Sequence, residues 1–188
     1  MARQRLPIDP DDLLDMPVPD GLSGYELVDG QLAPVTPASL DHGWLIAEIA
    51  RLLGNHVADH RIPGRVYSDA GFVLGLPSDP RRLRGPDVAF VSEETLRRHG
   101  NPGFRFARFV PELAIEVDIT SGRKPGGQQR IRDFLEAGVR LVWSILPRTR
   151  SAVVYRSEGS IAHLTEADAL EGEDVVPGFV LPLSVLFR

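Results

Sequence analysis

The segment ELAIEVDI, residues 112–119, constrains the fold of this chain more than any other stretch. Side chains alternate across a β-strand, so one face of this segment is wholly apolar while the other carries Ala114, Glu116 and Asp118. A carboxylate is costly to bury unless it is paired, hydrogen-bonded or bound to a metal ion. The segment therefore predicts a core strand that carries either a functional acid or an acidic pair on a solvated face.

The order of the other elements predicts an α/β fold, with a mixed β-sheet flanked by helices. Asp29 and Gly30 form the strongest tight-turn signal, between two extended arms at 25–35. A long amphipathic helix follows at 41–60, and Gly64 is expected to end it. The later segments are interpreted as a strand at 65–76, a polar loop at 77–86, a strand at 87–91, a helix at 92–99, a helix at 128–138, a strand at 139–146 and an apolar C-terminal segment that docks on the core.

Length and composition bound the class of protein. At 188 residues the chain is predicted to form a single domain at 24–188, preceded by an extension at 1–23 that is rich in Pro and Asp. The absence of cysteine excludes disulfides and thiolate chemistry. No apolar stretch is long enough to cross a bilayer, and the first residues lack the apolar core of a signal peptide. We therefore expect a cytoplasmic protein without a membrane partner.

The charge of the chain is unevenly distributed. The net charge of −5 argues against a protein that simply coats nucleic acid. Residues 79–150, however, carry 14 basic and 9 acidic side chains, whereas both flanking parts are acidic. This middle segment is either a set of arginines scattered over a solvated surface or a surface that faces phosphate groups.

A second acid gives Glu116 a partner. Asp87 lies at the start of the strand at 87–91, directly after Pro86. If the strands that carry Asp87 and Glu116 are neighbours, the two carboxylates can converge on one hard cation, and Mg²⁺ suits oxygen ligands of this kind. Such a cation activates water and neutralises the charge of a phosphate group. Asp87 taken alone is equally well explained as a capping or turn residue.

Six motifs, in order along the chain, resemble the Uma-two family of restriction endonucleases, within the PD-(D/E)XK nuclease superfamily. They span residues 24–188 and are YELVDG (25–30), HGWLIAEIARLL (42–53), GPDVAFV (85–91), ELAIEVDITS (112–121), RIRDFLEAGVRLVW (130–143) and the closing PGFVLPLSVLF. A single motif such as PDV is common, but six in register are specific. The resemblance implies a restriction-endonuclease-like core with a metal-dependent phosphodiesterase site.

By this resemblance, Asp87 and Glu116 correspond to the two acids of the superfamily motif and would hold Mg²⁺ or Mn²⁺. Glu26 would lie beside the site and support a ligand or a second metal ion. His42 would lie at the start of the long helix, where the family also has a histidine; a capping or hydrogen-bonded surface histidine is the alternative. DNA, bound through its phosphate backbone, would be the partner.

The chain departs from the family pattern at the lysine. The superfamily motif has a lysine two residues after the acid, where this chain has Asp118. Members that supply the lysine from the next helix use K-x-x-x-Y-x-x-x-G, which corresponds here to Arg130, Phe134 and Gly138. Arginine stabilises charge on a phosphate but does not accept a proton. Lys124, the only lysine of the chain, either reaches back into the site or is a solvated loop residue.

The sequence therefore predicts a Mg²⁺- or Mn²⁺-dependent endonuclease that hydrolyses DNA phosphodiester bonds, with Arg130 in the role of the lysine. The alternative is a nuclease-fold protein that no longer cuts and acts as a binding or assembly module, which the arginine at the lysine position favours. Cleavage of RNA or of another phosphate ester, and a homodimer that cuts both strands, are also left open.

Overall fold

The structure is a computed structural model that describes residues 8–119 and 126–187. Within them the helices are α1 Leu40–Asp59, α2 Glu93–His99, α3 Gly127–Glu136 and α4 Leu183–Leu186, with short 3₁₀ helices at Pro10–Leu14 and Pro147–Thr149. The strands are β1 Gly24–Val28, β2 Gln31–Val35, β3 Gly64–Ser68, β4 Phe72–Val73, β5 Leu83–Arg84, β6 Val88–Ser92, β7 Leu113–Val117, β8 Leu141–Leu146, β9 Ser151–Arg156, β10 Ile161–Thr165, β11 Ala169–Glu171 and β12 Val180–Pro182. No helix in these ranges is both long and apolar enough to cross a membrane.

The main sheet contains six of the described strands, in the order β10-β9-β8-β7-β6-β3. Strands β7 and β8 are parallel, whereas all other neighbours in this sheet are antiparallel. Helix α3 lies in the connection between the two parallel strands, because a parallel pair needs a long crossover. The predicted mixed sheet flanked by helices is thereby confirmed.

Apolar side chains cover both faces of the main sheet. On one face α1 packs through a buried stripe that includes Ile49 and Leu53, together with the C-terminal segment, whose docking on the core was predicted correctly. On the other face α3 packs through Ile131 and Phe134. Ala114 of β7 contributes to this second core, so the alternation of the strand directs Glu116 towards α3 as well.

A small sheet, with the order β2-β1-β5-β4 among the described strands, lies against the α3 side of the molecule. Its β1–β2 hairpin turns at Asp29 and Gly30, as predicted, with φ of 50° and 70°. Its own core consists of Leu13, Leu27, Val73 and Leu83. The domain boundary after residue 23 stays a prediction, and Leu13 of the first 3₁₀ helix is a contact that crosses it.

The prediction that Gly64 ends the long helix was wrong. Helix α1 ends at Asp59 with His60 as its C-cap, and Gly64 begins β3 instead. A Cβ at Gly64 would lie 2.4 Å from the ring of Phe90 on the neighbouring strand. Glycine is therefore needed there for close packing between strands rather than for a helix terminus.

The predictions for residues 65–86 were also wrong in part. The strand predicted at 65–76 is interrupted by Asp69, which has a left-handed backbone with φ of 54°. The chain therefore leaves the main sheet after β3 and pairs again in the small sheet as β4. The loop predicted at 77–86 contains β5, whose two residues pair with both β1 and β4.

Candidate active site

Asp87 and Glu116 lie at the same end of the main sheet. Val88 of β6 pairs with Ile115 of β7, so the same antiparallel register, continued by one residue, brings Asp87 opposite Glu116. The Val117 N–H donates to Asp87 Oδ2 at 2.6 Å and holds that carboxylate at the end of β7. The condition that the sequence set, that the two strands be neighbours, is therefore met.

His42 lies at the start of α1 and faces the same site. Ser39 caps the helix by accepting a hydrogen bond from the His42 N–H. His42 precedes Leu45 and Ile49 on the stripe of α1 that faces the sheet, and its Nε2 lies 3.3 Å from Asp87 Oδ2. The helix cap therefore involves only the backbone of His42, and its imidazole forms a hydrogen bond with Asp87.

Arg130, in the first turns of α3, binds Glu116 through both oxygens. Its Nε donates to Glu116 Oε2 at 2.9 Å and its Nη2 donates to Oε1 at 2.8 Å. The same guanidinium donates to Glu26 Oε1 and, at 2.7 Å, to the Gly85 carbonyl oxygen. Arg130 therefore joins the end of β7 to the small sheet, at the position where the family pattern has a lysine.

Glu26 lies on β1 and is almost fully buried, with 7% of its surface exposed. Besides Arg130, its carboxylate accepts hydrogen bonds from Arg84 Nη1 at 2.8 Å and from the Gly85 N–H at 3.0 Å. Glu26 thus contacts the residues around Asp87 from the small-sheet side. The role that the resemblance implied for Glu26, support of a ligand or of a second metal ion, stays a prediction.

Sequence reasoning missed the charge cluster behind Glu26. Asp133 of α3 is fully buried, and its Oδ2 accepts hydrogen bonds from Arg82 at 2.9 Å and from Arg84 at 2.8 and 2.6 Å. Both arginines lie in or next to β5, inside the segment that was interpreted as a polar loop. A signal was present, because Asp133 falls between Ile131 and Phe134 on the apolar side of an amphipathic helix.

Asp69 is a second acid that sequence reasoning missed. Its backbone N–H donates to the Asp87 carbonyl oxygen at 3.3 Å. Burial and the neighbouring charge of Asp87 both raise the pKa of Asp69. A non-glycine residue in the left-handed region is strained, and such residues are frequent at functional sites.

Burial and neighbouring charges shift the pKa of the ionisable groups at the site in different directions. Burial raises the pKa of Glu116, opposed by Arg130 and reinforced by Asp87 and Glu26. Burial also tends to raise the pKa of Glu26, but Arg130 and Arg84 lower it below its ordinary value. Burial would lower the pKa of Arg130, yet the two glutamates raise it, so the guanidinium stays charged.

The donor set fits a hard divalent cation. Asp87 and Glu116 offer the carboxylate oxygens that Mg²⁺ and Mn²⁺ bind. Within residues 8–119 and 126–187, no three His, Asp or Glu side chains converge on a common metal position. Most ligands would therefore be water, which Mg²⁺ retains readily. Because Arg130 binds both oxygens of Glu116, a cation would have to share that carboxylate with it.

Asp118 and Lys124 are the two other charged residues that the sequence brought into question after β7. The Asp118 N–H donates to the Ile145 carbonyl oxygen at 2.8 Å, which extends the pairing of β7 with β8 by one residue. Lys124 lies outside the described residues, so both alternatives for it, a position in the site and a position in a solvated loop, stay predictions.

Comparison with known proteins gives a family and a fold. The model of the Uma-two family (Uma2), whose description reads "Putative restriction endonuclease", matches residues 10–184. Among solved structures, the chain is similar to "a putative nuclease belonging to DUF820" from Anabaena variabilis, with a TM-score of 0.76 and 19% identity, over 96% of this chain and 98% of that chain. At that identity the likeness shows the fold alone. No curated protein gives a significant match.

Proposed function

We propose, since this chain belongs to the Uma-two family of restriction endonucleases, that it is a divalent-cation-dependent endonuclease that hydrolyses DNA phosphodiester bonds. The family membership confirms the resemblance found in the sequence, and the nuclease-like fold agrees with it. The observation that carries the proposal is the position of Asp87, directly before β6, at the end of β7 that carries Glu116, with Arg130 bound to Glu116. Along the chain, Asp87, Glu116 and the positively charged Arg130 follow one another in the same order as the two acids and the lysine of the superfamily motif.

Asp87 and Glu116 would hold Mg²⁺ or Mn²⁺. When bound, such a cation lowers the pKa of water and offsets negative charge on the phosphate. Glu26 would act indirectly, because it fixes Arg130 and the backbone of Gly85, two residues before Asp87.

Arg130 would supply the positive charge that lysine supplies in other members. A guanidinium has five N–H donors, and four of them already donate within the described residues: two to Glu116, one to Glu26 and one to Gly85. The fifth is available to a phosphate oxygen. If a phosphate oxygen also replaced one Glu116 oxygen as the acceptor of an Arg130 N–H, that Glu116 oxygen would become available to the metal cation.

His42 is the proposed route for a proton. Hydrolysis forms a bond between a water oxygen and phosphorus and breaks the bond to one ester oxygen, so the water loses a proton and the leaving oxygen gains one. Arg130 stays protonated and cannot accept it. A histidine exchanges protons near neutral pH, and the Nε2 of His42 lies 3.3 Å from Asp87.

Cleavage of supercoiled plasmid in Mn²⁺ tests the proposal. We expect the wild type to nick the plasmid, and Asp87→Ala and Glu116→Ala to be at least about 100-fold slower, because each removes a ligand of the cation. Arg132→Ala is the matched control, since Arg132 lies on the same helix and, among the described residues, donates only to Gln129 at the surface. Equal cleavage by all four proteins, or none by any, would overturn the proposal. An RNA of the same sequence, assayed in parallel, distinguishes DNA from RNA as substrate.

One observation favours the second candidate, a binding or assembly module that does not cut. Arg130 neutralises Glu116 through two hydrogen bonds, as a structural ion pair would. The melting temperature in Mn²⁺ separates the two functions. A nuclease should be stabilised by Mn²⁺ and lose that stabilisation in Glu116→Gln, whereas a module without a cation should show no difference.

If a lysine serves the chemistry better, Arg130→Lys should raise the rate of cleavage.

A homodimer would suit an enzyme that cuts both strands, and it stays a prediction. The apolar C-terminal segment offers little surface for such an interface, because Leu181, Leu183, Leu186 and Phe187 are buried in the core of the chain itself. Sedimentation with and without a DNA duplex would determine whether a dimer forms.

A further inference from the structure

A groove follows the outer edge of β3, the last strand of the main sheet among those described. Two clefts of about 750 and 300 Å³ adjoin each other there and share Gly64, Arg65 and Glu93 in their walls. A third cleft of about 240 Å³ shares Leu96 and Asn101 with the second. The three clefts therefore form one continuous depression, the β3 groove.

The β3 groove leads to the candidate active site. Strand β3 is antiparallel to β6, and Ser68 at its end pairs with Val88, the residue after Asp87. The next residue, Asp69, donates its N–H to the Asp87 carbonyl oxygen. Ala70 then lines the third cleft. A polymer bound along the groove would thus reach the carboxylates at one end.

The groove is lined by arginines without partners. Arg61, Arg65 and Arg97 line the first two clefts and Arg105 lines the third. Within the part of the chain that the structure describes, these four side chains make no ion pair, whereas Arg98 and Arg140 each bind a carboxylate; Arg132 on α3 also lacks an ion pair there, so it is the position along the groove that sets these four arginines apart. Glu93 is the single acidic side chain in the described walls, so the groove carries an excess of positive charge. Such an excess binds a phosphate backbone.

The third cleft of the groove is aromatic. The third cleft is lined by Tyr67, Phe72, Phe104, Phe106 and Phe109. The side chain of Phe104 is fully exposed to solvent, next to Arg105. An exposed ring that forms one wall of an apolar cleft can stack on a flat, unpaired base, and adjoining arginines hold the phosphates on either side.

We propose that the β3 groove binds a single strand of DNA and delivers it to Asp87 and Glu116, with an unpaired base stacked on Phe104. A duplex keeps its bases stacked inside and cannot fill the aromatic cleft, whereas a single strand offers both phosphates and free base faces. The inference rests on the proposed function in taking DNA as the substrate. It adds that the substrate is single-stranded, or locally unpaired, where it is cut.

Binding in EDTA, where no cleavage occurs, tests the inference. The probe is a fluorescent oligothymidylate of about 20 nucleotides, longer than a typical single-strand site. We expect the wild type to bind it at least about tenfold more tightly than a duplex of the same length. Loss of one stacked base costs about 1–3 kcal/mol, so Phe104→Ala should weaken binding about 5- to 150-fold, and Phe104→Trp should retain it. Ile161→Ala is the matched control, because Ile161 is also exposed but lies on β10, at the opposite edge of the sheet.

The salt dependence tests the arginines separately. Removing one phosphate contact to a single strand lowers the slope of log affinity against log salt by about 0.7. We expect that change for Arg65→Ala, and no change for Arg132→Ala, whose arginine lies on α3 outside the groove.

The outcomes separate this inference from the proposed nuclease. Equal affinity for the single strand and the duplex, or unaltered binding by Phe104→Ala, would overturn the groove while leaving Asp87-dependent cleavage intact. Conversely, a protein that never cuts plasmid would still be expected to bind the oligothymidylate. Tighter binding of an oligouridylate of the same length would overturn DNA as the strand that the groove prefers.

Discussion

The two faces of the main sheet are closed by different interactions. Helix α1 covers one face through apolar side chains such as Ile49 and Leu53, both completely buried. On the other face, α3 meets the small sheet partly through Arg82, Arg84 and Asp133, which are all buried as well. Apolar contacts are not directional, so they tolerate small shifts. Buried ion pairs add little net stability and instead require one geometry.

This difference has a consequence for the site. The charged contact continues from Asp133 through Arg84 to Glu26, then through Arg130 to Glu116. Each link has a defined donor and acceptor. We therefore expect the α1 face to determine mainly the free energy of unfolding, and the α3 face to determine the position of Arg130 and Glu116.

The largest expected effect is that of Asp133→Ala. It leaves Arg82 and Arg84 buried without their shared acceptor, and breaking a buried ion pair costs about 3–5 kcal/mol. Urea denaturation should show a loss of that size, and the stabilisation by Mn²⁺ should weaken with it because Glu26 and Arg130 lose their anchor. A loss below about 1 kcal/mol would mean that the cluster is hydrated and does not position the site.

Leu53→Ala tests the apolar face, and we expect it to lower the free energy of unfolding by a similar or somewhat smaller amount. Truncating a buried leucine destabilises a protein by about 2–5 kcal/mol. The same urea experiment should show this loss, whereas the shift of melting temperature that Mn²⁺ causes should equal that of the wild type. If Leu53→Ala and Asp133→Ala weaken the stabilisation by Mn²⁺ equally, the α3 face does not position the site more than the α1 face does.

Glu26→Gln gives a smaller effect that depends on pH. Burial opposes ionisation of Glu26, but Arg130 and Arg84 hold its pKa in the folded state below the ordinary value of 4.5. A carboxyl with a lowered pKa contributes stability above its unfolded pKa and loses it as the pH falls through the folded pKa. The wild type should therefore lose stability below about pH 4.5 more steeply than Glu26→Gln. Parallel curves of unfolding free energy against pH would contradict this assignment.

The smallest effect is expected at an exposed ion pair. Arg98 and Glu94 are bonded one turn apart on α2, with 68% of each side chain exposed. Solvent screens such a pair, so Glu94→Gln should change the free energy of unfolding by less than about 0.5 kcal/mol. A cost as large as that of Asp133→Ala would show that burial is not what distinguishes the cluster.

Much of the fold could be predicted because its signals are local. The helical spacing of Leu45, Ile49 and Leu53 predicts α1, and the left-handed pair Asp29 and Gly30 predicts the first hairpin. The segment at 65–86 could not be predicted in the same way. Its strands β4 and β5 have two residues each and are stabilised by partners far away in sequence, so they carry no periodicity of their own.

The candidate site, like the fold, could be predicted from the sequence only in part. The sequence by itself predicted that Glu116 lies in a strand and that Asp87 lies at the start of another, which the structure begins one residue later, at Val88. It also predicted the following helix, in which the resemblance to the family put Arg130 at the position of the lysine. Only the tertiary structure decided that Arg130 binds both oxygens of Glu116, and that Asp133 and Arg84 fix it from behind. Arg130 and Glu26, which are also joined by a hydrogen bond, are 104 residues apart, and a buried charge selects its partner by distance in space, which the sequence does not contain.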